Sequence, residues 1–368
     1  MIPHPTFELK EADVIQHGID EVRRPLFLMM AIVATAMSLG CGGSIPSTEP
    51  TQTKGTVVVY SALDEEFAKP ILTRFAHDLQ IEIPAKYDVE STKTVGLTNE
   101  IIAEAIRPRC DVFWNNEILN TLRLKDRGLL APFDPSHASD LPPVFRDPDH
   151  TWYGFAARAR ILLVNTKLVP ESQRPSKIAD LTLPKWKGKI GIAKPLFGTT
   201  ATHAACLFAA WGDEKASKFF KDLKANEVQV LSGNKQVATA VGSGRLAFGL
   251  TDTDDAVGEI QAGSPVAIVY PDRDPDQLGT LFIPNTIAII KGAPHAETAR
   301  RLADHLLSAE VESKLASGPS AQIPLLKGVA PPPNIETPAT VHPMAVDFGS
   351  AAKIWDRVAA FLAGEFAG

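Results

Sequence analysis

The sequence holds only three cysteines, Cys41, Cys110 and Cys206, and no two of them form a CxxC pair or a zinc-finger spacing. That excludes a thioredoxin-type redox centre and a structural zinc module. Cys110 and Cys206 read as two separate buried thiols, since free cysteine is among the most buried residue types. A disulfide between them is the alternative that an oxidising compartment permits. Basic clusters are missing as well: the formal net charge is -6 and no long basic run occurs, which excludes nucleic acid as the main partner because phosphate binding needs grouped Lys and Arg. No GxSxG, HExxH or Walker A motif appears, so no catalytic residue and no catalytic cofactor is expected, and the chain is not expected to be an enzyme. Tyrosine is scarce, with four residues (Tyr60, Tyr87, Tyr153 and Tyr270) and no two adjacent. No apolar run is long enough to span a bilayer, which takes about 20 residues.

The longest such run is the 14-residue stretch from Leu26 to Leu39, preceded by Arg23 and Arg24. Its length suits the apolar region of a signal peptide. Gly40, Cys41 and two further glycines follow, then a Ser/Thr/Pro stretch from Ser44 to Thr53 with linker character. The arrangement resembles a bacterial lipoprotein signal, although Ser38 stands where that signal usually has leucine. The resemblance implies residues 1–40 as signal peptide, lipidation at Cys41, a linker over 41–55, and an exported protein, periplasmic or at the cell surface, held to a membrane by its lipid. An ordinary cleaved signal is the alternative reading.

From Thr56 onwards the chain alternates short β-type runs with helical patterns, the mark of an α/β fold. Strands are expected at 57–60, 81–87, 111–114, 189–193 and 246–251. Helices are expected from Asp64 (with Pro70 forcing a kink or a late start), near Leu97 to Ala105, and from Thr199 or Thr200 to Trp211. Further helices are expected over 214–225, 235–241, 296–307 and 347–362. The run Arg160 to Asn165 reads as a strand passing between two lobes, with a return crossing between Val266 and Ile290. The expected division is lobe 1 over 56–157 with 267–310 returning to it, and lobe 2 over 158–266 with 311–368 packing across or on it. Such a pair of α/β lobes places a cleft at the carboxyl ends of strands from both.

Several stretches carry a family resemblance: the opening VVVYSALDEEFAKPIL, PRCDVFWNNE, LPKWKGKIGIAKPLFGTTATH, EKASKFFKDLKAN and GRLAFGLTDTDDA. Together they resemble the family 1 extracellular solute-binding proteins of ABC transporters, near the branch that binds ferric iron, over roughly residues 55 to 330. What this implies is a type II periplasmic-binding fold whose two lobes close on a ligand through crossing hinge strands. It also implies an ABC transporter permease as partner. A monomer that binds a small molecule or metal ion is expected. Ferric iron with a synergistic anion leads among ligands, with an aminated phosphonate, a polyamine or a thiamine-like solute as alternatives. An enzyme on the same fold is the competing class.

Four strand-end loops supply the candidate ligand-binding residues. Ser61 and Ala62 follow the first strand, where a small residue lets the backbone approach a ligand. Asn115, Asn116 and Glu117 follow the third, and Glu117 is a candidate metal ligand. Gly198, Thr199 and Thr200 open a helix, where hydroxyls and free N–H groups suit an anion. Asp252, Thr253, Asp254 and Asp255 follow an apolar strand, and carboxylates this close repel one another unless a cation sits among them. The ferric-iron branch carries a tyrosine pair at about this place. Here Asp254 and Asp255 stand there instead, as candidate metal ligands of the hard carboxylate type. Arg158 and Arg160 are placed to pair with these acids or with an anion. Asn234 reads as a helix cap and His203 as structural.

Overall fold

The computed structural model describes residues 55–88 and 93–366. The expected signal peptide, Cys41 and all of the expected linker but Gly55 lie outside the described residues. No helix among the described residues is long and apolar enough to cross a membrane.

The first lobe is built on β1 (Val59–Ser61), α1 (Glu65–Leu79), β2 (Ala85–Tyr87), α2 (Val95–Ala103), β3 (Val112–Asn115), α3 (Leu119–Asp126) and β4 (Leu130–Ala131). β1 and β3 are short and buried because both faces of the sheet are covered there; β1 pairs in parallel with β3 and with the edge strand β2. Helix α1 starts at Glu65 and runs through Pro70, so the late start expected from the proline does not occur. Glu65 and Glu66 favour that start by complementing the positive end of the helix dipole, and Ala68, Ile71, Leu72 and Phe75 bury its inner face.

The crossing strand is longer than the sequence suggests. β5 (Trp152–Asn165) spans 14 residues and is buried along its whole length. Beyond it lie β6 (Ile190–Ala193), α4 (Gly198–Trp211), α5 (Asp213–Ala225), β7 (Gln229–Leu231), α6 (Asn234–Gly242), β8 (Phe248–Asp252) and α7 (Thr253–Gln261). β6 pairs in parallel with β7 and β8. Two of the packing demands here require glycine. A Cβ on Gly249 in β8 would lie 2.4 Å from Val237 Cγ1 and 2.9 Å from the Gly191 carbonyl. Gly198 opens α4 at a φ of +56°, where any other residue is strained.

The chain then returns through β9 (Val266–Val269), which pairs with β5, and β10 (Phe282–Ile290), which lies antiparallel between β3 and β5. The whole sheet has ten strands in the path β2-β1-β3-β10-β5-β8-β6-β7, with β4 on β10 and β9 on β5 off that path. Two parallel groups thus sit on either side of two antiparallel crossing strands, the architecture of a type II periplasmic-binding fold. Helices α8 (Ala296–Leu306) and α9 (Ala309–Ser317) follow, and Ile323 forms an isolated bridge to Ala157 of β5. The proline-rich strap after Pro331 has no regular element, but His342 and Met344 bond to Thr280. The last helix, α10 (Phe348–Phe366), packs on α3 of the first lobe and on α4 and α5 of the second. Cys110 and Cys206 are both buried and free.

Candidate functional site

Where the carboxyl ends of β1, β3, β6, β7 and β8 meet the middle of β5, they enclose a cleft of about 360 Å³. Its lining includes Asp64 to Glu66 after β1, Asn116 after β3, and Arg158 on β5. From the second lobe come Lys194 and Gly198–Thr199 after β6, Ser232 to Gln236 after β7, and Asp252, Asp254 and Asp255 at the end of β8. This is the place where an open α/β sheet exposes loop backbones and side chains to a ligand.

Along β5, Arg158 and Arg160 are two residues apart and therefore share a face of the strand. Arg158 is buried and donates through Nε to Asp254 Oδ2 at 3.2 Å, and its Nη1 bonds the carbonyl of Asn116. It therefore grips both lobes at once. Arg160, 0% exposed, donates to Asp252 Oδ1 at 2.7 Å, to Thr199 Oγ1 at 3.2 Å, to Asn234 Oδ1 at 3.1 Å and to Thr200 Oγ1 at 3.1 Å. The network closes on itself: Asn234 Nδ2 donates to Thr199 Oγ1 at 2.8 Å and to Asp252 Oδ2 at 3.0 Å. Asn234 is not a cap. The N-cap of α6 is Gly233, and neither α6 nor α4 has a side-chain cap.

The carboxylate oxygens of Asp252, Asp254 and Asp255 lie within 4.8 Å of one another. Burial and the neighbouring Asp254 and Asp252 charges push the Asp255 carboxyl well above its ordinary value. Burial also raises Asp254, against the pull of Arg158. Asp255 receives a hydroxyl from Thr251 at 3.2 Å but has no ion-pair partner among the described residues. The amide oxygen of Asn116, 6% exposed, is likewise without a hydrogen-bond partner. His203 is kept neutral by burial and by the nearby Arg160 charge.

Of the residues singled out from the sequence, Asn116, Arg158, Gly198, Thr199, Asp252, Asp254 and Asp255 come together on this lining. The others do not. Ser61 donates to the carbonyl of Leu63 at 3.1 Å, and the Ala62 N–H bonds Trp114. Asn115 spends its amide on Glu117 at 3.0 Å and Thr121 at 3.1 Å. Thr200 belongs to the Arg160 network, and Thr253 Oγ1 accepts from the Ala159 N–H at 3.1 Å. Glu117 is corrected most clearly as a metal ligand. It is 0% exposed, accepts from the Asn120 N–H at 3.0 Å and from Thr202 Oγ1 at 2.6 Å, and holds the start of α3 together. Asn234, read from the sequence as a cap, lines the cleft too, and sequence reasoning missed Lys194, Ser232, Gly233 and Lys235. The signal was available, since both groups follow strands exactly as parallel in the second lobe as the one that delivers Asp252.

A family model described as bacterial extracellular solute-binding protein matches residues 111–348. Among curated relatives, the Fe(3+)-binding periplasmic protein of Serratia marcescens is 25% identical over 60% of this chain, and the match spans 62% of that protein, less than two thirds of its length. The putative 2-aminoethylphosphonate-binding periplasmic protein of Salmonella typhi is 26% identical over 64% of this chain and 68% of its own. Iron-bound HitA from Pseudomonas aeruginosa superposes with a TM-score of 0.75 at 23% identity, covering 83% of this chain and 99% of that one. AfuA from Actinobacillus pleuropneumoniae, with fructose-6-phosphate bound, has a TM-score of 0.75 at 23% identity, covering 85% of this chain and 99% of that one. At this identity the two structures establish the fold.

Proposed function

The chain belongs to the bacterial extracellular solute-binding proteins, and we propose that its cleft captures a small zwitterion, an amine-bearing phosphonate or phosphate, for delivery to an ABC transporter permease. The observation that carries this reading is the charge balance of the lining. Asp252 pairs with Arg160 and Asp254 with Arg158. Asp64 pairs with Lys93 at 2.6 Å, Glu65 with Lys69 at 2.7 Å and Glu66 with Lys235 at 3.7 Å. What remains among the described lining residues is one carboxyl, Asp255, and one ammonium, Lys194. A ligand with one cationic and one anionic end matches that remainder.

The anionic end belongs at the starts of α4 and α6. The first N–H groups of a helix have no internal partner, these two helices lack side-chain caps, and Lys194 and Lys235 line the cleft beside them. The amine belongs at Asp255 with the Asn116 amide oxygen. The Salmonella relative named for an aminophosphonate supports both ends of this ligand, and the AfuA structure holding a sugar phosphate supports the anionic end alone.

A ferric ion with a synergistic anion is the second reading, supported by the three clustered carboxylates and by the iron-binding relatives. Two of those carboxylates are already neutralised by buried guanidinium groups, and no tyrosine is among the described lining residues, so a trivalent ion finds little net negative charge there.

Thermal melting with 2-aminoethylphosphonate, inorganic phosphate, spermidine and ferric citrate tests the proposal. A ligand at a hundred times its dissociation constant adds about 2.7 kcal/mol of stability. Stabilisation by the aminophosphonate, unchanged on recovery, supports it. Stabilisation by ferric citrate alone, with a visible absorption band, replaces it with the second reading.

A further inference from the structure

Arg160 does not line the cleft, yet it touches the beginnings of three helices that do. Its guanidinium bonds Thr199 and Thr200 in the first turn of α4, Asn234 in the first turn of α6, and Asp252, the N-cap of α7. Thr and Asn side chains in a helix's first turn can bond the free N–H groups of that turn in place of a ligand. Here those side chains point inward to one another instead, and the N-cap positions of α4 and α6 hold Phe197 and Gly233, neither of which carries an acceptor. The consequence is that both first turns present their N–H groups to the cleft rather than to their own side chains.

Holding this arrangement has a cost. The Arg160 Nε is buried without a hydrogen-bond partner. A buried ion pair is a poor source of stability compared with apolar packing of the same volume, so stability is a weak reason to place a guanidinium there.

We infer that Arg160 is a positioning residue for the anionic end of the ligand: it holds Thr199, Thr200 and Asn234 away from the first-turn N–H groups, so that two helix starts stay available to a phosphoryl or phosphonyl group. The inference rests on the zwitterion reading for its ligand. It does not rest on it for its geometry.

The test uses the full-length protein with two variants. Arg160→Met alone strands the Asp252 charge and lowers the melting temperature. Arg160→Met combined with Asp252→Asn removes both charges and recovers most of that loss. Binding of inorganic phosphate and of 2-aminoethylphosphonate is then measured by calorimetry, and hydrogen exchange of the ligand-free proteins is followed at residues 198–200 and 234–236. The double variant is expected to bind phosphate at least tenfold more weakly than the parent while melting near it. Its amides at the two helix starts are expected to exchange more slowly, because the released Thr and Asn side chains now accept from them. Recovery of phosphate affinity to within twofold, together with unchanged exchange, overturns the inference and leaves Arg160 a structural ion pair. If the parent binds neither probe, the zwitterion reading fails, and the exchange comparison alone decides the role of Arg160.

Discussion

Replacing Asp255 with asparagine should move binding and stability in opposite directions. In the ligand-free protein this carboxyl is recessed, faces Asp254 and Asp252, and has its pKa pushed well above the ordinary value. A group whose folded pKa is raised prefers to be protonated in the folded state. The ligand-free protein is therefore favoured below the unfolded pKa, and loses that increment as pH rises to the folded value. Asp255→Asn keeps the shape and removes the titration, so the ligand-free variant should melt at a higher temperature than the parent at neutral and alkaline pH, and near the parent at acidic pH. Binding should go the other way. A hydrogen bond to a charged group contributes about 1.5–3 kcal/mol, so affinity for 2-aminoethylphosphonate should fall about ten- to a hundredfold. Binding an ammonium also ionises Asp255, so the parent should release protons on binding near neutral pH and the variant should not. Titration calorimetry in buffers of different ionisation enthalpy reads that difference. Equal proton release by both proteins, or a variant that melts lower in the alkaline range, refutes the assignment of the amine to Asp255.

Lys194→Ala should weaken phosphate and phosphonate binding about tenfold and flatten the salt dependence of the association rate, because it removes a lining cation that has no ion-pair partner among the described residues; stopped-flow binding at two ionic strengths checks this. Gly249→Ala should destabilise the fold by about 1–3 kcal/mol, since its Cβ meets Val237 and the Gly191 carbonyl; urea unfolding reads it. Trp355→Ala, which empties a 4% exposed site on α10, should cost about 3–5 kcal/mol in the same assay. Lys235→Glu should slow ligand capture and the exchange Lys235→Glu with Glu66→Lys should restore it in part, with a small effect because both side chains are exposed at the cleft mouth.

Much of the frame was legible. The apolar runs ending in Tyr60, Trp114, Ala193 and Thr251 gave four of the parallel strands, because buried parallel strands read as short uninterrupted apolar segments. The acids after β8 were recognised as a cleft element for the same topological reason. Boundaries failed where long-range pairing decides them: the crossing strand begins at Trp152, eight residues before the apolar run that revealed it, because β10 pairs along its first half. The site was only partly legible. Thr199 and Thr200 lie where expected, but their hydroxyls are claimed by a guanidinium 39 and 40 residues away in sequence, and no local pattern records such a claim. Glu117 was misread for a related reason. Its carboxylate answers to Thr202 across 85 residues as well as to its own helix start, so a residue that looks available by sequence is fully occupied in space.

The position of β10 has a temporal consequence. Thr286 pairs with Asn115 and Ile289 with Val112, so the sheet of the first lobe waits for a strand made only after all the strands of the second lobe. Pairings of such sequence separation are slow to form. A chain cut before Phe282 would leave the inner edge of β3 bare, an open template for association with other chains. A strand made late is thus the one that seals the inner edge of the earliest-made lobe.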